Sequence, residues 1–252
     1  MKDQKDLYDA VTYLGDNALI LGHRLGEWCG HGPVLEQDIA MTNISLDLIG
    51  QARMYLDYAG KLSGKNRTED DMAYHRDVLD FKNALITELP NGDFADTMAR
   101  QFFFDQWHFL FLQAMSASTD ETLNAIAQKS IKEVTYHKRW SAEWVIRLGD
   151  GTAESKEKIQ RAIDDVWMYT GELFMPFPAD QALVEAGVFP DVAALKEAND
   201  ASVAAVIQEA GLSLPEDDFM QSGGRTGFHT EYLGFILAEM QFLPRAYPDA
   251  KW

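Results

Sequence analysis

Apolar side chains recur along this chain at alternating steps of four and three. Leu7, Val11, Leu14, Ala18, Leu21, Leu25 and Trp28 form one stripe, and Met41, Ser45, Leu48, Ala52, Tyr55, Ala59 and Leu62 form a second. That spacing is the seam of a helix packed against other helices. Between the stripes "CGHGP", residues 29–33, carries two glycines and a proline and predicts a reversal. The second helix is expected over 36–62 with Gly64 as its stop. Two long helices joined by a short turn lie antiparallel. With that turn centred near residue 32, Leu48 is expected to face about residue 16.

A polar stretch over 65–71 precedes a shorter helical segment expected over 74–89, and "PNGD" then makes a turn with a helix start at Asp93. The third long helix carries Phe94, Met98, Phe102, Asp105, Phe109 and Leu112 on one side. The fourth, capped by Thr119 or Asp120, carries Ile126, Ser130, Val134, His137, Trp140, Trp144 and Leu148 and stops at "GDG". A turn near 119 sets position 134 opposite about 104. Beyond residue 151 the pattern weakens to helices over about 156–173 and 191–210 and a last one in "HTEYLGFILAEMQFLP". No strand-like alternation of any length and no repeat at a solenoid period is present. The expected fold class is all-α: a four-helix bundle with additional C-terminal helices. It is read as a single domain, 1–252, with a core bundle over about 5–149 and C-terminal helices over about 152–252 packed on it.

Composition narrows the function. The 252 residues are 46% apolar, enough for a large core. Forty acidic against twenty-two basic side chains give a formal charge of −18, which repels phosphate backbones and anionic membrane surfaces, so neither nucleic acid nor membrane is an expected partner. One cysteine, Cys29, excludes an internal disulfide. The N-terminus shows no apolar signal core after a basic start, and no run of eighteen apolar residues occurs, so the cytoplasm is the expected location.

Bundles of this kind host di-iron centres, built from one Glu on each of two helices and a Glu-x-x-His pair on each of the other two. At the matching level the second helix offers Leu48 and Gln51, the fourth offers Val134 and His137, and the third offers Asp105. The first helix has no Glu between Leu14 and Leu21. Its nearest acids are Asp16, one step off the stripe, and Glu27, near the far end. Glu133, four residues before His137, stands beside the seam. Leu48 and Val134 cannot bind a metal at all. A lone His such as His137 on an aromatic-rich face is more often a hydrogen-bonded core residue than a ligand. A carboxylate placed like Asp105, between Phe102 and Phe109, needs a partner if buried, and His137 could be that partner. Histidines 23, 31, 75, 108 and 229 show no pairing at ligand spacing. The residues therefore favour a bundle with no cofactor and no catalytic site of its own. An iron-binding protein or active di-iron oxidase with a rearranged set (Asp16, Glu27, Asp105, Glu133, His137) and a free-standing helical interaction module remain as alternatives.

Four stretches carry a family resemblance: "GDNALILGHRLGEWCGHGPVLEQDIAMTNISLDLIGQARMYLDYAG", "LPNGDFADTMARQFFFDQWH", "IKEVTYHKRWSAEWVIRLGDGT" and "GGRTGFHTEYLGFILAEMQFLPR". They resemble the C subunits of the multicomponent phenylacetyl-CoA epoxidases, the ring 1,2-oxygenases of aerobic phenylacetate breakdown. The resemblance implies a ferritin-like fold. It also implies a hetero-oligomer with a related catalytic A subunit. That partner's di-iron site reads Asp-Glu-Leu-Gly-His where this chain has "DLIGQ", 47–51, and Glu-x-x-His where it has "VTYH", 134–137. By that resemblance Leu48, Gln51, Asp105, Val134 and His137 are degenerate di-iron positions. The chain is then a structural component without iron that supports the catalytic one and reaches the other epoxidase components through it.

Overall fold

A computed structural model describes residues 2–216 and 219–250. Among the described residues there is no strand, and the chain is an all-α bundle of the ferritin-like kind with further helices after its second long hairpin. In order the helices are α1 (Lys2–Gly26), α2 (Leu35–Leu62), α3 (Glu69–Tyr74), α4 (Phe94–Met115), α5 (Glu121–Gly149), α6 (Ala153–Trp167), α7 (Gln181–Glu185), α8 (Lys196–Glu209), α9 (Glu231–Met240) and α10 (Phe242–Ala246). They form two compact units. The first is discontinuous, comprising residues 1–31, 36–89 and 223–252, and the second holds 32–35 and 90–222.

In the first unit α1 and α2 pack antiparallel through glycine. A Cβ on Gly15 would lie 2.6 Å from Leu56 Cδ2, and one on Gly22 would lie 3.0 Å from Ile49 Cδ1 and 3.3 Å from Leu48 Cβ. The Ser45 hydroxyl donates to the Gly22 carbonyl at 2.7 Å. Leu48 therefore faces Gly22 rather than residue 16, a difference of nearly two turns. The reason is local: turns run on from the end of α1, with the amides of Trp28, Cys29 and His31 bonded to the carbonyls of Leu25, Gly26 and Trp28. The reversal comes late, and the first turns of α2 extend past the end of α1.

The helix expected over 74–89 does not form. α3 ends at Tyr74 with a capping box at Thr68, and only two 3-10 turns follow, Val78–Asp80 and Leu85–Glu88. Side chains of α1 take the amides a helix would have used: Lys82 N–H donates to Asp16 Oδ2 at 2.9 Å, and Ala84 N–H to Asn17 Oδ1 at 2.7 Å. Asp16, wholly buried, also receives both Nη atoms of buried Arg76, whose guanidinium lies 4.2 Å over the Phe81 ring.

The C-terminal helices close this unit through Glu88. Its carboxylate accepts the Thr230 amide at 2.8 Å and stands 3.2 Å from His229 Nδ1, while His229 Nε2 lies 3.0 Å from the Phe81 carbonyl. Burial opposes charge on that ring, but Glu88 and the carbonyl outweigh it and the His229 pKa is raised. Gln241 Nε2 donates to the carbonyls of Ala73 and Arg76, both at 3.0 Å.

In the second unit α4 is the centre, with α5, α6 and α8 packed on it. Asp93 caps it by accepting the amides of Ala95 and Asp96. Of the two residues able to cap α5, Asp120 does so, accepting the Leu123 amide at 2.9 Å, while Thr119 turns to the Ala186 carbonyl at 3.1 Å. α6 ends at Trp167, and Gly171–Phe174 is a 3-10 turn rather than more helix.

Because the Asp16–Arg76 pair is buried and also fixes the 82–84 backbone, Asp16→Ala should cost about 3–5 kcal/mol, most of it from an unanswered guanidinium. Denaturant unfolding of the variant checks this, and a loss below about 1 kcal/mol would mean that the pair behaves like a surface ion pair.

Candidate functional site

A helix buried on every side carries its polar residues into the interior. From Thr97 to His108 no residue of α4 is exposed, yet that stretch holds Arg100, Gln101, Asp105, Gln106 and His108. Each must be answered within the protein. Arg100 donates to Asn91 Oδ1 at 2.8 Å, and Gln106 Oε1 accepts from Ser202 at 2.8 Å. Gln101 Nε2, one turn before Asp105, donates to Asp105 Oδ1 at 2.7 Å.

α5 brings up the other half. Val134, His137 and Ser141 are all buried on the face it turns inward. The Ser141 hydroxyl donates to the His137 carbonyl at 3.0 Å, and its presence near Asp105 favours that carboxylate. Burial pushes the Asp105 carboxyl up to about 6, against the pull of His137, Ser141 and Gln101. His108, which packs against Phe104 and Trp107 with ring centroids 5.2 and 6.0 Å away, is pushed down to about 3 by burial and by His137. The result is a polar layer in which Gln101 answers the Asp105 carboxyl, with Ser141 and the imidazoles of His137 and His108 near them.

That layer is not a metal centre. Val134, beside His137 on the inward face of α5, presents only methyl groups and cannot coordinate an ion. In the first unit Leu48 is wholly buried with its Cβ against Gly22, and Gln51, also wholly buried, carries a neutral amide. The rearranged set fares no better. Asp16 is held by Arg76 and the Lys82 amide, Glu27 is paired with Arg24 at 3.0 Å, and Glu133 is only half-buried. Among the described residues no group of three or more His, Cys, Asp or Glu could hold a metal ion. A di-iron centre does not fit the side chains present.

The sequence pattern located Asp105 and His137 as interior residues and missed two buried pairs, Asp16–Arg76 and Glu88–His229. Nothing local marks those pairs, since their partners stand far apart in the chain. Gln101 was findable, four residues before Asp105 on a helix.

Long helical hairpins and an interior polar layer define a ferritin-like bundle whose described residues hold no metal-ligand cluster. The chain belongs to the family of phenylacetic acid catabolic proteins, whose pattern matches residues 1–252. It is 49% identical over 239 residues to the C subunit of 1,2-phenylacetyl-CoA epoxidase from Escherichia coli (strain K12), covering 95% of this chain and 96% of that relative. No helix of the described residues is long and apolar enough to cross a membrane.

Two outcomes follow for the polar layer. Asp105 has a folded pKa of about 6, above its ordinary 3.8. The folded state thus holds this proton more tightly than the unfolded chain, and the stability it contributes is present below about pH 4 and lost as pH rises to about 6. Asp105→Asn, which has no such proton, should gain on the parent by on the order of 2–3 kcal/mol between pH 4 and 7.5. Urea unfolding at both pH values measures this, and a difference independent of pH would show that Asp105 is solvated. Val134→Glu places a carboxylate in the core without a metal to neutralise it and should lower stability at neutral pH by roughly 2 kcal/mol or more. A variant melting at the parent temperature would place residue 134 outside the core.

Proposed function

We propose that this chain is the structural, non-catalytic C subunit of a phenylacetyl-CoA epoxidase. It binds the catalytic di-iron A subunit, keeps it folded and competent, and reaches the other components through it. The observation that carries this reading is that Leu48, Gln51 and Val134 are wholly buried side chains that cannot serve as metal-ligating carboxylates or imidazoles; in this reading they stand where a working homologue has two carboxylates and an imidazole. Likeness along 95% of the chain to the C subunit of an epoxidase supplies the assembly. In this reading Leu48, Gln51, Asp105, Val134 and His137 are the positions of a ligand set that the chain no longer carries, and its use lies on its surface. The formal charge of −18 argues against nucleic acid and anionic lipid as partners, and a free, exposed Cys29 suits the reducing cytoplasm.

The test is reconstitution. Ring epoxidation is measured from the catalytic A subunit, its reductase and phenylacetyl-CoA with and without this chain, and the chain purified alone is assayed for iron. The expected outcome is a catalytic subunit that is more soluble and faster in the mixture, with no stoichiometric iron on this chain. Equal performance without the chain, or about two irons bound to it, would end the reading.

A further inference from the structure

Glycine weakens a helix interior, so a helical glycine asks for a reason. Gly15, Gly22, Gly26, Gly60 and Gly149 each have one, because a Cβ there would press on Leu56, Ile49, Ser45, the Arg67 carbonyl or the Ala210 carbonyl respectively. Gly50 and Gly234 have none within the chain: nothing lies within 4 Å of either Cβ position. Around Gly50 the exposed seam is mixed, with Leu46 beside Asn43 and an Arg53 already paired with Glu69. Around Gly234, on α9, the surroundings are apolar. Phe235 and Phe242 are each 65% exposed, Phe228 75% and Leu79 76%. The Gly227 Cβ position lies 2.7 Å from the Leu79 carbonyl, which sets Phe228 beside that turn. An open groove of about 540 Å³ runs past Val78, Gly234, Ala238 and Phe242, ending at Asp77 and Arg245, which pair at 3.0 Å.

We infer that this groove is the seat of one amphipathic helix of the catalytic subunit, presenting large apolar side chains at helical spacing with Lys or Arg beside them. The inference rests on the assembly proposed above and names its surface. The small floor, Gly234 and Ala238 one turn apart, admits a ridge of side chains, and the Phe242 ring stands beside it. Beyond the groove, Leu79, Phe228 and Phe235 are further exposed apolar side chains of the same two segments. Charge selects the occupant. Glu231, one turn before Gly234 on α9, is exposed, and a second copy of this chain would bring another −18 to the groove, so a partner with basic residues fits where a self-pair is repelled.

The experiment compares the full chain with Gly234→Leu and Phe235→Glu. Since open space surrounds the first site and the second ring is solvent-exposed, both variants should melt no lower than the parent. Mixed with the catalytic subunit over a concentration series and sized, both should associate at least tenfold more weakly. A parent that fails to associate sinks the functional reading itself. A parent that associates, with folded variants that associate equally well, overturns the groove alone. Should the chain by itself form a dimer that Gly234→Leu abolishes, the occupant is a second copy and the inference is equally overturned.

Discussion

A carboxylate in the middle of a buried helix must be answered, and the answer to Asp16 organises much of the first unit. Arg76 and the Lys82 amide converge on it, and Asn17 beside it takes the Ala84 amide. Those bonds give residues 76–89 a course broken into two 3-10 turns instead of an α-helix, and that course puts Glu88 where it can receive Thr230 and His229. The terminal helices are then held by further carbonyls of the same segment, at Ala73 and Arg76. One residue on α1 thus fixes an irregular strap, and the strap fixes the end of the chain. The ordering of so many backbone groups around two buried charges explains why the pair is kept, although a buried ion pair by itself is weak evidence for stability.

The second unit meets the same constraint differently. α4 is surrounded, so its amides, guanidinium and carboxyl cannot reach water and are matched locally: Gln101 to Asp105 along the helix, Arg100 to Asn91, and Ser202 to Gln106 from α8. What would be metal chemistry in a ferritin-like oxidase is here a set of neutral or part-neutral hydrogen bonds, with the Asp105 carboxyl pushed toward its protonated form by burial. With Val134 beside them, Asp105 and His137 form a core that needs no ion to balance its charge.

The long helices were legible because a stripe repeating every three or four residues is a local signal. Val11, Leu14, Ala18, Leu21 and Leu25 are buried as their spacing requires, as are Met41, Leu48, Ala52, Tyr55 and Ala59. Asp93 and Asp120 cap helices as their positions before apolar runs predict. The strap over 76–89 was not legible, since its path is set by Asp16 and Asn17, some sixty-six positions away, and an irregular segment has no period to read. The register of α1 against α2 was misjudged for a related reason: glycines mark where a chain can turn, and hydrogen-bonded turns after Gly26 postponed the reversal. Of the polar layer, Asp105 and His137 showed as polar residues on an apolar face, whereas His108, like His229 in the first unit, finds its surroundings only in three dimensions.

The division of the chain between its units carries a consequence for how it is made. The second unit draws almost all of its residues from one continuous stretch, 90–222, while the first is assembled from pieces on either side of it. During synthesis α1, α2 and the strap emerge first but remain without the groups that close them, Thr230, Gln241 and Arg245. A nascent chain therefore carries an open, partly apolar first half for as long as the later unit is being made. That is the interval in which chaperones, or a partner already present, have most to act on.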